Sequence, residues 1–177
     1  MELAPDKKKR LLQGELLMEI EWPGNDIIRA RGSIFVRASP EVVWRMLTDY
    51  GNLHHTMPKV VRSELVEERG NVKVIDQTGR SGILIFERSV QFRLQVDEEF
   101  PTRLRFTQLE GDFKVYEGEW ILEPASNGKA DGTLVTYRAD IKPDFFAPPF
   151  LVSFVQSQDL PAILRSIRTY CEARSAG

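Results

Sequence analysis

The feature that most constrains this chain is a single change of hydrophobic period. Between Val60 and Ile141 apolar and polar residues alternate in short runs, whereas from Phe150 to Cys171 the apolar residues recur mostly at every third or fourth position. Alternation sends successive side chains to opposite faces of a strand, so each run has one face to bury and one to wet. The wider spacing paints a stripe along one side of a helix. The runs fall at 60–68, 72–78, 83–96, 103–109, 116–122 and 133–142, and the alternation is cleanest where Val90, Phe92, Leu94 and Val96 interleave with Ser89, Gln91, Arg93 and Gln95. Connections such as Arg69-Gly70-Asn71 and Glu110-Gly111-Asp112 are too short for the crossover that parallel strands need, so neighbouring strands are antiparallel. A sheet with one apolar face must cover it, and the final helix is the element long enough to do so. The expectation is an α+β fold in which a curved antiparallel sheet of about seven strands wraps round a long C-terminal helix.

The front of the chain adds to this plan. Leu16, Met18, Ile20 and Trp22 fall at spacing two, Trp22-Pro23-Gly24-Asn25-Asp26 supplies turn chemistry, and a second strand runs over 28–37. Ser39 is placed to cap a helix, Pro40 is preset for its first position and Glu41 suits the helix dipole. Val43, Trp44 and Leu47 give that helix its apolar stripe; Asp49-Tyr50-Gly51-Asn52 ends it, and a second short helical piece over 53–56 stops before Pro58. Two short helices are thus expected after the first strand. The glycines of Gly79-Arg80-Ser81-Gly82 read as turn residues, and Pro161 either kinks the last helix or sits in the first turn of a fresh one capped by Asp159. Residues 1–14 read as a tail and 15–177 as one domain.

Composition excludes several classes of function. Hydrophobic residues make up 42% and charged residues 28%, with a net charge of −2, so the chain is globular and carries no global field toward nucleic acid. Cys171 is the only cysteine, which rules out an internal disulfide and a thiolate metal cluster and points to a reducing, cytoplasmic setting. Gln13, Gly14, Glu15 and Glu19 interrupt the early leucines, leaving no secretory core or membrane span, and the run Lys7-Lys8-Lys9-Arg10 reads as a solvated terminus. There is no metal-ligand spacing, no glycine-rich phosphate loop and no nucleophile elbow around Ser33, Ser63 or Ser81, so neither metal nor cofactor is expected. The only histidines, His54 and His55, are adjacent; on a helix they point about 100° apart and are not expected to serve one site together.

The step Ile34-Phe35-Val36-Arg37-Ala38-Ser39-Pro40-Glu41-Val42-Val43-Trp44 is followed by Leu47-Thr48-Asp49-Tyr50, Asn52-Leu53 and Met57-Pro58. A second zone comprises Tyr116-Glu117-Gly118-Glu119-Trp120 and Thr133-Leu134-Val135-Thr136-Tyr137. In these motifs the chain resembles the START-related superfamily in its polyketide cyclase/dehydrase and lipid-transport branch, which also holds coenzyme Q-binding proteins and the ribosome-association toxin type. The resemblance runs from Ile28 to the C-terminus. It implies a helix-grip fold that binds or carries a hydrophobic small molecule such as a lipid, isoprenoid, quinone or polyketide-like aromatic. It also implies two alternatives, a cyclase or dehydratase enzyme and a protein-interaction module that uses the basic N-terminal run.

For any one aromatic residue ordinary core packing is a sufficient explanation, but ligand pockets are themselves mainly apolar and aromatic with a few orienting polar groups. The residues expected to converge on a cavity are Trp44, Phe92, Phe106, Trp120, Tyr137, Phe146, Phe150 and Phe154, with His54 and Met57 placed at its mouth by the resemblance. Tyr116, Tyr137 and Arg138 are the polar candidates on the last two strands. Residues 143–150 combine three phenylalanines with three prolines, read as a gate or as a surface for transient membrane contact through Phe145, Phe146 and Phe150.

Overall fold

One antiparallel sheet carries the molecule. Its strands are β1 (Leu16–Gly24), β2 (Ile27–Val36), β3 (Val60–Arg69), β4 (Val72–Ser81), β5 (Arg88–Glu99), β6 (Arg103–Gly111), β7 (Phe113–Ser126) and β8 (Asp131–Pro143). They lie in the order β1-β2-β8-β7-β6-β5-β4-β3. Among the described residues four α-helices accompany them: α1 (Pro5–Leu12), α2 (Pro40–Thr48), α3 (Leu53–Thr56) and α4 (Pro149–Ser175). The computed structural model describes residues 3–81, 88–145 and 149–176, with the side chains of 81, 88 and 149–157 left out of the description. Among the described residues no helix is long and apolar enough to cross a membrane.

The helix-grip plan expected from the periods is present, with four differences of detail. Both arms of the opening hairpin join the sheet at one edge, which makes eight strands rather than about seven and places the two short helices after the second strand. Gly79 is not a turn residue: it pairs with Val90 inside the β4–β5 ladder, where a Cβ would make ordinary contact with the Lys59 backbone oxygen at 3.5 Å. Helix α4 runs unbroken through Pro161, so Asp159 caps no fresh helix and the amide-less Pro161 is carried inside one long element. Part of the segment read as a tail forms α1, whose Leu11 is fully buried with Phe35 and Leu134 on the outer face of the sheet.

Local chemistry explains the turn from sheet to lid. Ser39 stands in extended conformation and its hydroxyl accepts from the Val42 N–H, with Pro40 at the first helical position. Val43, Trp44, Met46 and Leu47 are the buried stripe of α2. A 3₁₀ turn over Tyr50–Asn52 then leads into α3, which is tied to α4 by the Ser166 hydroxyl donating to the Thr56 carbonyl at 3.0 Å.

Side-chain size is graded across the concave face. In one cross-strand row Ala30 faces Ala139, Ala139 faces Gly118, and Gly118 faces Phe106. In the next row Gly32 faces Tyr137, and Tyr137 faces Trp120. The small members lie toward β2, where α4 packs, and the large ones lie beyond it. Leu160, Leu164, Ile167 and Cys171 of α4 are buried in this contact, and a Cβ added to Gly32 would fall 2.7 Å from a Leu164 methyl.

The convex face is charged in ladders. The register carries Glu19, Arg31, Arg138, Glu119, Arg105 and Asp97 side by side across β1, β2, β8, β7, β6 and β5. Arg138, expected as a cavity residue, belongs to this outer row, because alternation from Tyr137 turns it outward. Beside the row, Arg29 donates two bonds of 2.7 Å to the Asp140 carboxylate. Arg168 of α4 clasps the opposite end of β2, donating to the carbonyls of Phe35 at 3.0 Å and Gly14 at 3.1 Å.

A Cβ at Gly118 would collide with the Arg138 carbonyl oxygen, so Gly118→Ala must part β7 from β8. It should lower the unfolding free energy in urea by about 1–3 kcal/mol or more. Gly51→Ala, where a Cβ meets nothing within 4 Å, should stay within about 0.5 kcal/mol of the parent. The Arg29 bonds hold the Asp140 carboxyl below its ordinary range against the opposing effect of burial. Its stabilisation is therefore complete above the ordinary value of about 4 and is lost as pH falls through the lower folded value. Asp140→Asn should flatten the acid limb of a stability-versus-pH curve while changing its slope near neutrality little.

Candidate functional site

Helix α4 packs on β2 and the adjoining edge strand β1, while α2 and α3 roof the other half of the concave face. Between roof, sheet and helix lies a cavity of about 220 Å³. Its wall is a belt of rings. Trp120 lies 4.7 Å from Tyr137, Tyr137 stacks on Phe106 at 5.9 Å, and Tyr116 contacts Phe106 at 5.3 Å, Phe92 at 5.1 Å and Phe113 at 5.1 Å. Offset and edge-on rings at these separations add to the stability that burial alone gives. Each ring props its neighbour, so the wall holds its shape without filling the space in front of it.

Polar groups are few on this wall and each has a defined setting. The Tyr116 and Tyr137 hydroxyls stand 3.5 Å apart, and burial pushes both phenols above their ordinary pKa. Both therefore remain protonated at neutral pH. A bond between two hydroxyls uses one proton, which leaves the other O–H to donate into the cavity. Tyr50 lines the roof and donates to the Glu98 carboxylate at 2.6 Å; burial, then that bond, raises its pKa as well. The Gln77 amide donates to the Ser63 hydroxyl at 3.1 Å. Where α3 leads into β3, Lys59 lies 3.8 Å from Asp159 of α4, and Arg80 of β4 joins them on the lining. Among the described residues no group of three or more His, Cys, Asp or Glu side chains is disposed to hold a metal ion.

Of the residues expected to converge, Met57, Phe92, Phe106, Trp120 and Tyr137 line the cavity. Trp44 does not. It lies on the far side of the roof helix, buried edge-on against Phe100 at 5.4 Å, because the α2 stripe is wide enough to cover both the cavity and the loop beyond it. His54 is also off the lining: it is exposed on α3, and its ring lies 3.8 Å from that of His55, closer than the helical angle between them suggests. Phe146 lies outside the described residues, and Phe150 and Phe154 fall on α4 with their side chains outside the description. Phe145 is half-buried, its ring 6.4 Å from that of Phe113.

The alternation missed Phe113 for a physical reason. A register shift between Phe113 and Val115 absorbs one residue, so Phe113 and Tyr116, three apart, both reach the cavity. Tyr50 stood in view in the Asp49-Tyr50 pair, but nothing local says that its ring turns under the roof. Lys59, Arg80 and Asp159 come from three separated segments, and only the assembled fold brings them onto one cavity lining.

Comparison with known proteins agrees with this architecture. Residues 36–168 match the family model described as polyketide cyclase / dehydrase and lipid transport. Similar solved structures include TTHA0849 of Thermus thermophilus, at 23% identity over 83% of this chain and 99% of that one, with a TM-score of 0.69. Another is the Zhui aromatase/cyclase of Streptomyces sp. R1128, at 17% identity over 84% of this chain and 96% of that one, with a TM-score of 0.70. A third is a STAR-related lipid transfer protein of Xanthomonas axonopodis, at 16% identity over 87% of this chain and 98% of that one, with a TM-score of 0.65. No curated protein sequence matches the chain. At such identities the structural likeness speaks for the fold, and the family match spans α2, α3, the whole of β3 to β8 and most of α4. The chain belongs to the polyketide cyclase / dehydrase and lipid transport family and has its START-type helix-grip fold.

Proposed function

We propose that this protein binds and carries one compact, mainly apolar molecule that presents a carbonyl or hydroxyl oxygen to Tyr116 and Tyr137. The observation that carries the reading is the ring-walled cavity with a protonated tyrosine pair set into it. Size narrows the ligand class. An apolar cavity of about 150 Å³ already admits benzene, and drug-sized ligands occupy about 300–1,000 Å³. A cavity of about 220 Å³ lies between these, suiting a molecule of one or two fused rings or a short isoprenoid rather than a two-chain lipid. The family description, which spans cyclases and lipid transport, is consistent with an apolar guest of either kind.

Acid–base chemistry, which a cyclase or dehydratase requires, works best with a group whose pKa lies near the working pH. Tyr116 and Tyr137 are pushed away from neutrality, and both histidines are exposed outside the lining. The carboxylate on the described lining, Asp159, is held beside Lys59. These settings suit hydrogen-bond recognition better than proton transfer, and they favour a carrier over an enzyme.

The test is a matched pair of ligands, acetonaphthone and ethylnaphthalene, titrated by quenching of tryptophan fluorescence. One net hydrogen bond is worth about 0.5–1.5 kcal/mol, so the ketone should bind roughly two- to tenfold more tightly. The double variant Tyr116→Phe/Tyr137→Phe should erase that preference and leave the hydrocarbon's affinity unchanged. Failure of both compounds to bind, together with native mass spectra free of any retained apolar guest, would defeat the carrier reading.

A further inference from the structure

We infer that Gln77 is a specificity-determining residue of the cavity, whose amide oxygen accepts a hydrogen bond from a hydroxyl on the ligand. The inference rests on the cavity being a ligand site and deepens that reading. The guest is a compact fused-ring molecule with a carbonyl at one end and a hydroxyl, such as a phenol, at the other. Gln77 stands on β4 between Ser63 of β3 and Phe92 of β5, and it lines the cavity together with Phe92. Alternation turns its chain neighbour Asp76 to the outer face, where the Asp76 carboxylate accepts two bonds from Arg93 at 2.6 and 2.8 Å.

The bond to Ser63 decides which end of the amide meets the guest. Ser63 is buried, and the Gln77 amide nitrogen turns toward it, donating to its hydroxyl at 3.1 Å. An amide carries its nitrogen and oxygen on opposite sides, so a nitrogen held toward β3 presents the oxygen to the chamber. That oxygen is not sealed in: the buried side-chain atoms without a partner among the described residues are Thr56 Oγ1 and Gln108 Oε1. Around Gln77 the lining is apolar, with Ile75, Val90, Phe92 and Leu94. An amide set among them carries a desolvation cost that a hydrocarbon side chain would avoid and that a ligand hydroxyl offsets. Gln77 on β4 and Tyr116 on β7 lie three strands apart, about 14 Å along the sheet. Phe92 occupies the floor between them, paired with Gln77 and with its ring 5.1 Å from that of Tyr116. Both polar side chains reach inward from that span, and a body of one or two fused rings bridges what is left. The two sides of the cavity therefore have opposite hydrogen-bond character, donors on β7 and β8 and an acceptor on β4. A hydroxy-ketone has one favoured orientation there, carbonyl toward the tyrosines and hydroxyl toward Gln77.

The probes are acetonaphthone and its hydroxy derivative with the hydroxyl on the ring remote from the ketone, titrated near neutral pH, where the phenol keeps its proton. The quantity read is the ratio of the two affinities in each protein. The intact chain should favour the hydroxy-ketone roughly two- to tenfold, the worth of one net hydrogen bond. In Gln77→Leu the ratio should fall to one or below, and measurable binding of acetonaphthone shows that this variant is folded with its cavity formed. Gln77→Glu, which keeps an acceptor oxygen at the same place, should retain the preference. The inference is overturned if the intact chain binds the two ketones equally, if Gln77→Leu keeps the preference, or if Gln77→Glu loses it. Each of those results leaves the carrier reading standing, because acetonaphthone still binds. If neither ketone binds the intact chain, the carrier reading fails and the role of Gln77 fails with it.

Discussion

The seating of α4 on the β2 side of the sheet is the contact on which the rest of the structure depends. Leu160 and Leu164 descend onto Gly32, where there is no side chain to hold them off. Protein interiors are close-packed, so a helix resting on glycine and alanine at one side of a curved sheet cannot also touch a sheet lined with tyrosine, tryptophan and phenylalanine at the other. The chamber is the geometric remainder of that mismatch in size. It stays open because the large residues brace one another as a belt, with Phe106, Tyr116 and Tyr137 each touching two or more other rings.

The same arrangement divides the labour between the two faces. The concave face is given over to apolar walls, leaving structural polarity to the convex face, where the arginine and carboxylate rows run across six strands. Most of those pairs are solvent-facing and individually weak, but opposite charges placed side by side in a ladder favour one register over a slipped one. Helix α1 shields the one apolar outer patch described, around Phe35 and Leu134, and Arg168 fastens α4 to the end of β2 that lies beneath it. The polar atoms of the ring wall are thus free of structural duty, whereas in the roof the bond from Tyr50 to Glu98 pins helix to sheet.

The elements are more legible along the chain than the site is. The alternating runs, the Ser39-Pro40-Glu41 cap and the wide stripe over 150–171 sufficed for element order, antiparallel pairing and the helix-grip plan, because each depends on neighbours within a few residues. The ring residues Phe92, Phe106, Trp120 and Tyr137 were legible as inward-facing for the same reason. Trp44 falls off the lining because a helical stripe shows that a residue is buried without showing against which partner, and His54, placed at the mouth by the resemblance alone, is turned to solvent by the one-turn helix α3. Arg138 was misassigned by one step of alternation, and Phe113 was missed because a bulge breaks the period at that point.

The period of each segment, its caps and its polarity are written in the amino-acid order, because local backbone geometry fixes them. Three things were settled by packing alone: the register that lines small residues up beneath α4, the bulge that swings Phe113 inward, and the meeting of Lys59, Arg80 and Asp159 on one cavity lining. The physical reason is distance along the chain. A cavity and its mouth are made by residues tens of positions apart, and their approach is set by how whole elements pack, which no local pattern encodes.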